Sequence, residues 1–157
     1  MKVIENFKGE YFFLSNFANA PVTYKGITYK NNEAAFQAQK VLSLSEQQKF
    51  ASLPPNLAKR EGRRVKLRPD WERVKKQFMY EIVKAKFEQN PGLRKMLLNT
   101  GDDYLVEGNT WHDNTWGVCT CQKCINKCHI DSNNLGIILM KVREELKLYL
   151  EGVNSES

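Results

Sequence analysis

Asn32-Glu-Ala-Ala-Phe-Gln-Ala-Gln-Lys40, preceded by Phe13-Leu-Ser-Asn-Phe17, is the stretch on which the fold and the function both turn. It reads as the opening of a helix over about 32–42, with Asn31 or Asn32 as the side-chain cap. Glu33 and Lys40 are seven residues apart, almost two turns, and Gln37 lies four residues after Glu33. On a helix these three form one polar stripe. Ala34, Ala35, Ala38, Val41 and Leu42 share an opposite face that can bury. A carboxylate, an amide and an amine in line on a rigid element can serve proton transfer or nucleophilic attack. The plainer reading is a solvated helix face, and spacing alone favours it.

Upstream, Val22-Thr-Tyr and Ile27-Thr-Tyr flank Lys25-Gly26, the pattern of a tight β-hairpin. Residues 2–7 and 11–14 can add short strands. Downstream, helical signals dominate. A short helix follows Ser45, and Pro54-Pro55 opens another that Gly62 should end as a left-handed cap. The clearest helix follows Pro69-Asp70: Trp71, Val74, Phe78, Ile82 and Ala85 recur at helical spacing and stop before Asn90-Pro91. A further short helix over about 91–99 should end at Gly101. Tyr104-Leu-Val-Glu107 reads as a brief buried strand. The last helix carries Leu135, Ile138, Leu139, Val142, Leu146 and Tyr149 on one face, with Gly152 at its end and a frayed tail behind it.

The length of 157 residues fits one domain with a real core. Apolar residues make up 41% and charged residues 27%, which excludes a disordered chain. No apolar run reaches membrane-spanning length, and Met1-Lys-Val-Ile-Glu-Asn lacks the apolar region of a secretory signal. These features predict a cytoplasmic protein with no membrane association, and no protein partner is evident. The net charge of +6 favours an anionic partner: a nucleotide, a sugar phosphate or a nucleic acid. Much of the excess lies in Lys59, Arg60, Arg63, Arg64, Lys66 and Arg68, opposed only by Glu61. This run is either a phosphate-binding patch or a solvated basic face.

All four cysteines fall in Cys119-Thr-Cys121-Gln-Lys-Cys124-Ile-Asn-Lys-Cys128. Such a cluster in a cytosolic protein suits a metal knuckle better than disulfides. Cys119, Cys121, Cys124 and Cys128 can complete a tetrahedral zinc shell, which would be structural because it leaves no open position. The alternative is reduced thiols in a surface loop. Trp111-His-Asp113 and Trp116-Gly117 lead into this loop. Trp116 can offer an aromatic plate and Gly117 a backbone that a ligand approaches closely. Asp113 can meet a ribose hydroxyl or act on water; each of these is otherwise a turn residue.

Phe13-Leu-Ser-Asn-Phe17, Glu33-Ala-Ala-Phe-Gln-Ala-Gln-Lys40, Gly62-Arg63, Leu67-Arg-Pro-Asp-Trp71, Met79, Lys86-Phe87, Leu105-Val-Glu107, Asp113, Trp116-Gly117 and Asn134-Leu-Gly-Ile-Ile-Leu-Met140-Lys-Val-Arg143 together resemble the NADAR superfamily, to which bacterial YbiA-type proteins belong. The motifs run in order from about residue 5 to 147. The resemblance implies a small, mostly helical α+β fold with an N-terminal hairpin, as one domain over residues 1–150 with a tail over 151–157. It also implies an N-glycosidase that hydrolyses a ribosyl–nitrogen bond and needs no cofactor for catalysis. Two substrate classes go with it: ADP-ribose attached to guanine in nucleic acid or nucleotide, and the phosphoribosylamino-pyrimidine intermediates of riboflavin synthesis. The basic charge leans towards the first. Where the YbiA-type pattern has a Gly- and Lys-rich loop after Trp116-Gly117, this chain has its cysteines.

On this reading Lys40, Glu33 and Asp113 are the catalytic candidates. Asn16, Phe17, Gln37, Arg63, Glu107, Trp116 and Gly117 are the substrate-binding ones. Glu33 can stabilise positive charge at the anomeric carbon or activate water. Lys40, partly desolvated, can act as acid, base or Schiff-base nucleophile. Two rivals stand beside it: a non-catalytic nucleic-acid-binding zinc module that uses Lys59 to Arg68 for phosphates, and a sensor that binds ADP-ribose without cleaving it.

Overall fold

The computed structural model describes residues 1–156, with side chains through Val153. It is a mostly helical α+β architecture with short strands, in chain order β1 (Val3–Ile4), β2 (Val22–Tyr24), β3 (Ile27–Tyr29), α1 (Asn32–Ala38), α2 (Leu44–Gln48), α3 (Pro55–Gly62), α4 (Trp71–Gln89), α5 (Pro91–Asn99), β4 (Tyr104–Leu105), β5 (Gly108–Asn109), β6 (Val118–Cys119) and α6 (Asn134–Glu156). The chain parts into two compact units, a central one of Asn16–Arg94 and a terminal one made of Met1–Ser15 with the chain from Lys95 onward.

In the central unit, β2 and β3 form the expected antiparallel hairpin, with Val22 opposite Tyr29 and Tyr24 opposite Ile27. Both turn residues, Lys25 and Gly26, have positive φ, which is what a two-residue turn between right-twisted strands requires. Helix α1 starts on Asn31, whose side chain accepts from Ala34 N at 2.8 Å. It packs against α3 and α4, and every one of its residues is buried. Its α-helical part is shorter than expected. After Ala38 the chain continues as tight turns to Val41, and Leu42 is 67% exposed rather than part of a buried face. Helix α2 begins one residue ahead of Ser45, capped by Ser43. Helix α4 buries Trp71, Phe78, Met79, Ile82, Val83, Lys86 and Phe87, close to the periodic pattern of the sequence. Trp71 rests against Phe36 at 5.1 Å and Phe78 at 6.3 Å between ring centroids.

In the terminal unit, β1 pairs parallel with β4, and β5 pairs parallel with β6. Residues 11–14, expected as a strand, lie in a 3-10 helix over Gly9–Leu14 that Gly9 enters at φ +57°. Helix α6 lies against β4. It buries Leu135, Leu139, Val142 and Leu146, but Tyr149 is 69% exposed. Gly152 does not end α6, which runs through Glu156, so the expected tail is helical as far as it is described; Ser157 lies outside the described residues. Gly62 is also not a left-handed cap. Helix α3 ends through Arg63 at φ −77°.

Candidate functional site

Contrary to the solvated-face reading, Glu33 is only 8% exposed and Gln37 only 6%. Gln37 Nε2 donates to Glu33 Oε1 at 2.8 Å, one helical turn apart, which fixes the carboxylate and presents it as an acceptor. Gly62 closes on this pair from α3: a Cβ there would overlap Gln37 Oε1, so a larger residue has to push the amide aside. The Gly62 carbonyl in turn accepts from Lys40 Nζ at 3.3 Å. Lys40 is half-buried and its ammonium lies over the Trp71 ring at 5.9 Å. Desolvation lowers the Lys40 pKa; Glu33 works against that, and Arg63 and Lys75 add to it.

Several buried polar atoms of the central unit have no hydrogen-bond partner: Gln37 Oε1, Asn16 Oδ1, and both side-chain polar atoms of Asn32. Such orphans are rare in a folded interior and are expected where a polar ligand completes them. Asn16 is tied to α1 through its carbonyl, which accepts from Glu33 N at 3.1 Å, and its Nδ2 donates to Met79 Sδ at 3.4 Å. Phe17 is half-buried, with Lys59 Nζ 5.8 Å from its ring centre. Arg63 is exposed at the end of α3, as are Arg60, Arg64 and Lys66. Arg68 is spent structurally: its guanidinium pairs with Asp70 at 2.6 Å and its N–H donates to the Lys40 carbonyl.

The remaining expected residues belong to the terminal unit and form a second group. Asp113 Oδ1 accepts from Thr115 N at 3.0 Å and from Trp116 N at 2.9 Å, which bends the chain around the half-buried Trp116. Gly117 does make a close backbone approach, but to protein: a Cβ there would overlap the Glu107 carbonyl. That carbonyl accepts from Val118 N at 2.9 Å, and Glu107 N donates to Asn133 Oδ1 at 3.0 Å. Asn109 and Asn133 carry no signal in the sequence, and Asn134 enters there only as the start of a motif, yet the three hold this loop together. Asn109 Nδ2 donates to the Asp113 carbonyl at 2.8 Å, Asn133 Nδ2 to Leu105 O at 3.0 Å and Asn134 Nδ2 to Thr115 O at 2.8 Å.

The cysteines gather, but not as a set of four. His112 Nδ1 and the Sγ atoms of Cys119, Cys121 and Cys124 all lie within 4.8 Å of one another. Cys128 is exposed and outside the group, so His112 holds the place expected for it. This cluster has the donor chemistry to bind a metal ion.

The NADAR domain model matches residues 4–147 of the chain. The chain is 39% identical to N-glycosidase YbiA of Escherichia coli (strain K12) over 142 residues, 88% of this chain and 84% of that protein. It is 36% identical over 138 residues to the riboflavin biosynthesis protein VVA0006 of Vibrio vulnificus (strain YJ016), 86% of this chain but 35% of that longer protein. Among solved structures, the NMR structure of the E. coli protein YbiA superposes with a TM-score of 0.78 at 36% identity, covering 95% of this chain and 88% of that one.

Proposed function

The chain belongs to the NADAR domain family, and from that premise we propose that it is an N-glycosidase that hydrolyses a ribosyl–nitrogen bond. The observation that carries this is the buried Glu33–Gln37 pair with half-buried Lys40 after it, a carboxylate fixed by an amide and followed by an amine of lowered pKa. Cleaving an N-glycosidic bond builds positive charge at the anomeric carbon and leaves a base that needs a proton. Glu33 faces that charge and stabilises it, or draws a proton from the attacking water. Lys40 supplies the proton to the base or traps the opened sugar aldehyde as a Schiff base, releasing water as the imine forms. Asn16 Oδ1, Asn32 and Gln37 Oε1 are satisfied by sugar hydroxyls and base edges. Phe17 stacks on a ring, and Arg63 meets a phosphate.

Two substrate classes suit this chemistry. ADP-ribose on guanine in nucleic acid is favoured by the +6 charge and by the exposed Arg60, Arg63, Arg64 and Lys66. The phosphoribosylamino-pyrimidines of riboflavin synthesis are favoured by the name of the Vibrio relative. The test is incubation with ADP-ribosylated guanine DNA or RNA and, separately, with the riboflavin intermediates, reading freed base and sugar by mass spectrometry. Release of a base from either supports the glycosidase. Binding of ADP-ribose with no release from any substrate replaces it with a sensor.

A further inference from the structure

We propose that His112 Nδ1 and the Sγ atoms of Cys119, Cys121 and Cys124 hold one structural zinc ion, with Cys128 outside the shell. This inference does not depend on the glycosidase reading. Zinc bonds to thiolate sulfur at about 2.3 Å and to imidazole nitrogen at about 2.0–2.1 Å, so a sulfur and a nitrogen on one tetrahedral centre sit about 3.5 Å apart. His112 Nδ1 is 3.4 Å from Cys124 Sγ, 3.4 Å from Cys121 Sγ and 3.9 Å from Cys119 Sγ. Three thiolates and one imidazole are a donor set that suits zinc over harder divalent cations.

Two further observations point the same way. His112 has φ +69°, a left-handed backbone that a residue with a side chain adopts only when its surroundings hold it there. Its Nδ1 lies among the sulfurs, and His112 N also donates to Cys119 Sγ at 3.3 Å. Second, the loop has almost no core of its own. Across residues 120–131 only Cys124 is buried, and Ile125 and Ile130 face solvent. Without a tie such a segment does not offset the entropy of ordering it. Binding zinc displaces the thiol protons to solvent and couples ion affinity to loop order. The loop so fixed includes Asp113 and Asn114, because Asn114 Oδ1 accepts from Cys119 N at 2.9 Å.

The experiment is metal analysis of protein purified under reducing conditions, without chelator, from zinc-supplied cells, followed by cobalt replacement. Wild type and Cys128→Ser should each carry about one zinc per chain, and their cobalt forms should show intense tetrahedral d–d bands with sulfur charge transfer. Cys124→Ser and His112→Ala should lose most of the metal. Should either fail to fold, His112→Cys decides. It should keep the stoichiometry and shift the cobalt spectrum towards an all-sulfur pattern. Metal content near zero in the wild type overturns the proposal. So does loss of zinc in Cys128→Ser with retention in His112→Ala, or a His112→Cys cobalt spectrum identical to wild type.

Discussion

Gly62 presses bare backbone against Gln37, leaving no room for a Cβ beside the amide that orients Glu33. Gly62→Ala therefore has to displace the amide or move α3. Overpacking of this kind costs about 1–3 kcal/mol. On the glycosidase reading, kcat should fall further than the melting temperature alone accounts for, by roughly tenfold, because Glu33 loses its fixed donor. Turnover and thermal unfolding measured on the same sample check this. A destabilised protein with unchanged kcat would show that Gln37 does not position the carboxylate.

Glu33→Gln keeps the shape and removes the charge. If Glu33 stabilises the developing cation or acts as a base, the rate should drop at least about a hundredfold. Lys40→Ala should abolish turnover with the fold intact, since Lys40 is only half-buried and its ammonium donates to the Gly62 carbonyl at a long 3.3 Å. Circular dichroism and single-turnover base release test both. Wild-type rates in a folded Lys40→Ala protein would remove the lysine from the chemistry.

The lowered pKa of Lys40 gives that role a pH signature. Its ordinary value is 10.5, and desolvation brings the folded-state value below it. A neutral amine nucleophile would make the rate climb with pH and level off before the ordinary lysine range. An ammonium acid would make it fall over the same interval. Borohydride trapping of a sugar adduct at Lys40 accompanies the first outcome only. A pH limb that persists in Lys40→Arg belongs to another group.

Much of the fold could be read from the chain because its signals are local. Lys25-Gly26 between two Thr-Tyr strands dictates the hairpin, and the apolar period from Trp71 to Ile82 dictates α4. The site was harder. Glu33 and Gln37 share a stripe whether it meets water or protein, with Lys40 in the turns after Ala38; α3 and α4 decide that, and they arrive from distant sequence. The value of Gly62 likewise lies in what approaches it across α1, which spacing does not encode. His112 escaped the ligand reading because its part depends on one left-handed φ. The errors in α6 are local ones: at Tyr149 and Gly152 an apolar period and a helix breaker were both overruled in a helix that runs on to Glu156.

Lys86 offers a test of the core. It is fully buried on α4, and desolvation pulls its pKa down to about 7. Between about 7 and the ordinary 10.5, the unfolded chain holds a proton that the folded one lacks, so stability rises with pH across that window. Below it both states are protonated and this group adds no slope. Lys86→Met removes the titrating amine and should flatten the slope between about pH 7 and 10. Denaturant unfolding at several pH values reads this. An unchanged slope in Lys86→Met would assign that pH dependence to another group.

The basic stretch separates the two substrate classes. Arg60 and Arg64 are exposed, and the ion pair of Arg64 with Glu61 at 3.9 Å is a surface contact of small worth. Replacing both with Gln removes two charges without touching the Glu33–Gln37–Lys40 line. If ADP-ribosylated nucleic acid is the substrate, the double variant should bind it more weakly and show a flatter salt dependence, because fewer counterions are released. Each lost phosphate contact should reduce the log–log salt slope by about 0.7–0.9. Saturated turnover should hardly change, since binding shared by ground and transition states moves KM and not kcat. A small phosphoribosyl pyrimidine carries one phosphate, so its KM should respond little to the variant or to salt. The measurement is KM against ionic strength for both substrates with both proteins. Identical salt slopes on the nucleic acid would leave Arg60 and Arg64 as a solvated face and shift the weight to the small pyrimidine.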